Sequence, residues 1–206
     1  MNVREALPEE MAAVGELRVA AYRDLGLLEE GDPYTDSLRA LGSDGRGEVL
    51  VAVEGDRVVG TVLLVPWSES SEIARGPEEA EVRAFAVVPD AQGRGVGRAL
   101  VRAVVALASE RGASRVVLST QPPMLAAQSL YRAHGFVRTP ERDWTPVPGV
   151  DLLPGPRVRP HPRTRLDPGA RGRPADLRAR AAGPGGLRAP RSAGGRPGLS
   201  GALRFR

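Results

Sequence analysis

Apolar and polar residues alternate with two different periods along the first 153 positions, and each change of period marks an element. Residues 3–6 read as a short first strand. Pro8, a residue suited to a first helical turn, then opens a helix with Met11, Val14, Leu17 and Ala21 along one face. The chain turns around Gly31-Asp32-Pro33, and a weaker helix follows over residues 34–41, ended near Gly42. Two β-branched runs, residues 48–53 and 57–65, are joined by Glu54-Gly55-Asp56, a spacing that predicts a hairpin. The stretch from Pro66 to Pro77 is polar and loop-like. Residues 81–88 form the next strand, on which strict alternation puts Glu81, Arg83, Phe85 and Val87 on one face.

Val96, Leu100, Val104 and Leu107 recur at helical spacing and predict a helix over residues 96–111, stopped by Gly112. Residues 115–119 make a fifth strand. Pro122 and Pro123 lead into a helix over residues 124–134 that stops at Gly135, Phe136-Val137 begins a sixth strand, and residues 147–153 supply a seventh. Strands and helices in this order form a single α/β layer structure.

Between the fourth strand and the long helix lies Phe85-Ala86-Val87-Val88-Pro89-Asp90-Ala91-Gln92-Gly93-Arg94-Gly95-Val96-Gly97-Arg98. A strand, a glycine-rich turn and a helix start within so few residues make an anion site. The first N–H groups of a helix have no internal partner and carry the positive end of its dipole. Arg94 and Arg98 add charge, and glycines let the backbone form a concave nest, so a phosphate or pyrophosphate is the ligand implied. The dinucleotide fingerprint is excluded because Arg98 stands where its third glycine belongs, and an ATPase phosphate loop is excluded because the chain has no lysine. A glycine turn without a ligand is the bland alternative.

What remains, Gln92-x-x-Gly95-x-Gly97 after a Val-x-Pro strand end, resembles motif A of the GCN5-related N-acetyltransferase (GNAT) superfamily. A second stretch, Ala127-Gln128-Ser129-Leu130-Tyr131-Arg132-Ala133-His134-Gly135-Phe136, is similar to that family's Ala-x-x-Leu-Tyr-x-x-x-Gly-Phe signature. The resemblance spans roughly residues 2–153. It implies an α/β acyl-CoA N-acyltransferase fold, a mixed, mostly antiparallel central sheet flanked by helices, with acetyl-CoA as cosubstrate. Phe85, Ala86 and Val87 are then expected to offer backbone groups to the acetyl carbonyl and the pantetheine arm, between splayed fourth and fifth strands. Gln92, Gly93, Arg94, Gly95, Val96, Gly97 and Arg98 are expected to hold the pyrophosphate.

Tyr131 matches the family's general acid, and a phenol of pKa near 10 stays protonated at neutral pH, ready to protonate a departing thiolate. An ordinary helix-face aromatic is the other reading of Tyr131. Glu81 is the candidate general base, with a solvated strand end as its alternative. Relatives that acetylate protein N-termini carry a glutamate and an asparagine at the positions of Ser119 and Met124. Neither is present, which argues against that acceptor. His134 reads as a helix-end capping residue. The reaction implied is attack of a primary amine, on a small molecule or peptide, on acetyl-CoA in a ternary complex; a non-catalytic acetyl-CoA sensor is the rival.

Charge changes the picture in one place. The net +4 sums a tail of 13 arginines against Asp167 and Asp176 with a net −7 over residues 1–153. Residues 154–206 are mostly arginine, proline, glycine and alanine, a composition that cannot bury enough apolar surface to fold, so a GNAT domain over 1–153 and a disordered tail over 154–206 are expected. A nucleic-acid arm is one reading of the tail. Reading past a shifted frame in GC-rich DNA is the other and is preferred, because the tail lacks interleaved aromatics and the whole chain has 29 arginines and no lysine. On that reading the seventh strand is cut short near Leu153. Cysteine is absent and there are two histidines, so disulfides, thiol catalysis and a metal site are not expected. No apolar signal core follows Met1 and no membrane span is evident, which points to the cytoplasm, with no membrane partner and a homodimer left open.

Overall fold

The computed structural model describes residues 1–147 and 150–158. Seven strands form a sheet in the order β1-β2-β3-β4-β5-β7-β6. They are β1 Asn2–Glu5, β2 Glu48–Glu54, β3 Arg57–Pro66, β4 Glu79–Val87, β5 Arg115–Thr120, β6 Trp144–Val147 and β7 Val150–Val158. The helices are α1 Met11–Asp24, α2 Tyr34–Ala40, α3 Val96–Glu110 and α4 Leu125–Ala133. Neighbouring strands are antiparallel except β4 and β5, which run parallel. This is the mixed, helix-flanked sheet expected of the fold.

Alternation along β2 and β3 builds the core on both faces of the sheet. Leu50, Ala52, Val62 and Leu64 pack with Val96, Leu100 and Val104 of α3, whereas Val49, Val51 and Leu63 pack with Val14 of α1. Gly60 on β3 sets how near α3 can come. A Cβ there would lie 2.9 Å from Val96 Cγ1 and 3.0 Å from Leu100 Cδ1, so a side chain would push the helix, and its N-terminus, off the sheet.

β4 breaks the alternation. Its pairing with β3 steps from Leu63↔Arg83 to Thr61↔Ala86, which places one extra residue in β4, and Ala84 takes a left-handed φ of 48°. The bulge reverses the side-chain parity. Ala84 and Ala86 join clusters with α1 and α2, while Phe85 and Val87 pack against the α3 core. The expected common face of Glu81, Arg83, Phe85 and Val87 is therefore corrected: Glu81 and Arg83 lie opposite Phe85 and Val87.

Two further expectations change. Phe136 starts no strand. Gly135, at φ 77°, ends α4 in a left-handed turn in which Gly135 N donates to Arg132 O and Phe136 N to Tyr131 O, so Phe136 belongs to the helix cap. The sixth strand is Trp144–Val147 instead. Nor is the last strand cut at Leu153: β7 continues to Val158, with Gly155 opposite Leu118 and Val158 opposite Val116. The rest of the tail assigned to residues 154–206 lies outside the described residues, as does its expected disorder. Among the described residues no helix is long and apolar enough to cross a membrane.

Candidate active site

β4 and β5 are paired from Glu79↔Arg115 to Val82↔Leu118 and no further. Beyond Val82 the β5-facing edge of β4 is open, so backbone groups of Phe85 and Val87 on that edge are available to a ligand, whereas those of the expected Ala86 turn to β3, opposite Thr61 and in step with Val88, whose N–H donates to Val59 O. The cause is local. The bulge at Ala84 bends β4 away from β5 just where the pairing ends. Ser119, one residue past the last pair on β5, has a buried hydroxyl without a hydrogen-bond partner, which fits a polar arm laid between the strands.

At one end of this opening stands the glycine turn. Val88 leads into a short 3-10 turn, Pro89–Ala91, after which Gly93 (φ 73°) and Gly95 (φ 87°) take the left-handed conformation and Gly95 caps α3. The first α3-type bond is Ala99 N to Gly95 O, so the preceding N–H groups have no helical acceptor. Gly97 also has a packing role. A Cβ there would sit 3.0 Å from Leu130 Cδ2 and 3.5 Å from Phe85 Cζ, so Gly97 lets α3 pack against α4 and Phe85.

Side chains around the turn are already engaged. Arg94 Nη2 donates to Glu54 Oε2 at 2.8 Å, and Arg57 forks onto Asp90 at 2.6 and 3.0 Å, tying the turn to the β2–β3 hairpin. Gln92 Nε2 donates to Val87 O at 3.4 Å, Val96 is buried in the core, and Arg98 is exposed. The anion-facing groups of this end are therefore mainly main-chain N–H.

Tyr131 sits on α4 across from it, 4% exposed. Its ring meets Phe85 edge-on at 5.7 Å and Phe136 at 5.5 Å. The helix cap makes the second contact: Phe136 reaches back over Tyr131 because the Gly135 turn directs it there. Burial raises the pKa of the Tyr131 phenol above its ordinary value, with a smaller contribution from Tyr22. Tyr131 thus stays protonated throughout the neutral range. His134 Nδ1 hydrogen-bonds Leu130 O at 2.8 Å, as a helix-end residue does.

Glu81 lies on the α1–α2 face and is 1% exposed. Its Oε1 accepts the N–H groups of Ile73 and Ala74 at 2.6 and 2.7 Å. Two residues earlier Glu79 receives Arg75 N at 2.9 Å and a fork from Arg142, both N–O distances 2.9 Å, while Arg142 Nη1 also donates to Ile73 O. These buried charges clamp residues 73–75 of the β3–β4 loop to the root of β4.

Beside the clamp is a group that the sequence did not single out. Arg83 donates to Glu72 Oε1 at 2.5 Å, and burial raises the proton affinity of the Glu72 carboxyl. Tyr22 and Tyr34, half-buried, pack with Ala84 in one cluster. Arg18 of α1, wholly buried, donates through Nη1 to Leu41 O at 2.6 Å. The available signal was Arg18 itself, an arginine four residues after Val14 on the apolar face of α1.

A bulged β4 parting from a parallel β5, a glycine turn capping the next helix and a buried tyrosine after it define an acyl-CoA N-acyltransferase type of fold. The model of the acetyltransferase (GNAT) family matches residues 12–136, and the chain belongs to this family. It is 30% identical to an aminoglycoside N(6')-acetyltransferase type 1 from Stenotrophomonas maltophilia over 141 residues, covering 67% of this chain and 87% of that protein. It is 35% identical to a mycothiol acetyltransferase from Cellulomonas flavigena over 127 residues, 62% of this chain and 32% of that protein. It thus spans only about a third of that relative's length. A putative acetyltransferase from Salmonella typhimurium, solved with its cofactor acetyl-CoA, shares the fold at TM-score 0.60 and 22% identity, covering 82% of this chain and 98% of that one.

Proposed function

We propose that this protein moves the acetyl group of acetyl-CoA to a primary amine, by direct attack of the amine within a ternary complex. The observation that carries the reading is the opening of β4 and β5 past Val82↔Leu118, flanked by a helix N-terminus without a side-chain cap and by a protonated, buried tyrosine. Acetyl-CoA supplies a thioester, an acyl group already activated toward an amine. Free N–H groups at the start of α3, with Gly93 and Gly95 shaping the turn, hold the pyrophosphate. Backbone groups of Phe85 and Val87 on the open edge hold the pantetheine arm and stabilise charge on the acetyl oxygen as the carbon–nitrogen bond forms.

Tyr131 gives its proton to the sulfur as the carbon–sulfur bond breaks. The amine must shed one proton. Glu81 is tied by two loop N–H groups, so we assign it the positioning of the β3–β4 loop, and assign the proton to Glu72, whose burial favours taking it. Much of the rate enhancement is then positioning of the amine against the thioester. Calorimetry with acetyl-CoA, followed by thiol release over a panel of amines, tests the reading. Micromolar to millimolar binding and amine-dependent release are expected; absence of acetyl-CoA binding at millimolar concentration overturns it.

A further inference from the structure

We propose that Arg18 is a specificity residue that binds a carboxylate or phosphate carried by the acceptor, so that the acceptor is an amine bearing an anionic group and not a polycation. The inference rests on the acetyl-transfer reading and names the substrate class of that site.

Arg18 is 0% exposed, yet two of its nitrogens, Nε and Nη2, have no hydrogen-bond partner. A buried guanidinium without a counter-ion is an expensive thing to fold around. The other buried or half-buried cations on this side are matched: Arg83 by Glu72, Arg142 by Glu79. Arg18 has no carboxylate partner among the described residues, and its single bond, from Nη1 to Leu41 O, goes to a neutral carbonyl.

The free nitrogens are also the right pair. Nε–H and one Nη–H form the side of the guanidinium fork that meets two oxygens of a carboxylate or phosphate at once. Arg18 keeps that side free and spends its other end on Leu41.

Position connects the fork with the reacting centre. Tyr22, one helical turn beyond Arg18, and Tyr34 at the start of α2 are half-buried and pack with Ala84, the bulge residue at the acetyl end of the cleft. Tyr22 is also close enough to Tyr131 and to Arg18 to perturb both electrostatically. An acceptor whose amine lies at the thioester can direct an anionic group toward Arg18, whose fork is closed to solvent in the free protein and opens to it when the half-buried Tyr22 and Tyr34 turn aside. The net −7 of residues 1–153 on its own favours a cationic acceptor, but the local charge at Arg18 has the opposite sign. Aminoglycosides, the acceptors in one relative's name, are polycations and are disfavoured by a fixed buried positive charge.

The test uses pairs of amines that differ in the anion alone: glycine and other amino acids against their amides, and O-phosphoethanolamine against ethanolamine. Thiol release is measured with the full chain and with Arg18→Gln, which keeps a donor for Leu41 O and loses the charge and fork. The melting temperature of each protein with CoA is followed on adding the same compounds. The wild type should favour the anionic member of one pair by about 100-fold in kcat/KM, the pair identifying carboxylate or phosphate. Arg18→Gln should level that preference, read as the ratio of kcat/KM within each pair, and Arg18→Lys should restore it only in part. Equal use of both members, or a preference that survives Arg18→Gln, overturns the proposal. So does the absence of any anion-dependent melting shift if no amine is acetylated. Anion-dependent shifts lost in Arg18→Gln, without thiol release from any amine, support the anion site and count against acetyl transfer alone.

Discussion

The α3 end of the cleft presents main chain to a ligand, and the α1–α2 end presents side chains. At the first, Gly93, Gly95 and the free N–H groups of one helix turn come from a handful of consecutive residues. At the second, Arg18, Tyr34, Glu72 and Arg83 arrive from four separate elements or loops, and a buried clamp of Glu79, Glu81 and Arg142 holds the loop that carries Glu72. A phosphate common to every cofactor molecule can be held by backbone, which any sequence of the right shape supplies. An acceptor that differs from protein to protein needs side chains that can be exchanged without disturbing the fold.

The comparison breaks most visibly at the clamp. Arg142→Met leaves Glu79 buried without its forked partner, and should lower stability by about 3–5 kcal/mol in urea unfolding. Acetyl-CoA affinity of the folded fraction should hold, because the cofactor end shares none of these contacts. Next in size is Tyr131→Phe, which keeps the ring contacts with Phe85 and Phe136 and removes the proton donor. Turnover should fall by about 100-fold with acetyl-CoA affinity nearly unchanged; unchanged turnover would return Tyr131 to a packing role.

The cofactor end is broken by Gly95→Val, which forces a β-branched residue into a left-handed φ of 87° with no steric conflict around it. Acetyl-CoA should bind roughly tenfold more weakly, and the acceptor KM should be retained. A smaller effect comes from pH. Burial raises the pKa of Glu72, and a base acts only when deprotonated, so kcat/KM should rise with pH through that elevated pKa. Glu72→Gln should lower the plateau and remove that rise; a profile unchanged by the substitution assigns the proton elsewhere.

The two ends also differ in how far the sequence disclosed them. Helical and strand periods located each described α-helix and the strands up to β5 within a few residues, because each of those elements buries an apolar side on one face or the other of the sheet. The glycine turn and Tyr131 were legible because their chemistry is local. The α1–α2 end was hidden by one residue: the bulge at Ala84 shifts the register, so simple alternation put Glu81 and Phe85 on the same face. A bulge at an alanine leaves no composition signal of the kind a glycine gives. Phe136 misled for a related reason, since an aromatic after a helix-ending glycine serves equally well as a cap contact and as the first residue of a strand.

Amide hydrogen exchange with and without acetyl-CoA tests the division of labour directly. Binding should protect the N–H groups of Phe85 and Val87 and of the first turn of α3, residues 95–98, while leaving the α1–α2 segment around Arg18 and the clamped residues 73–75 at their free rates. Protection concentrated around Arg18 and residues 73–75, or none at residues 95–98 under saturating acetyl-CoA, would contradict the account.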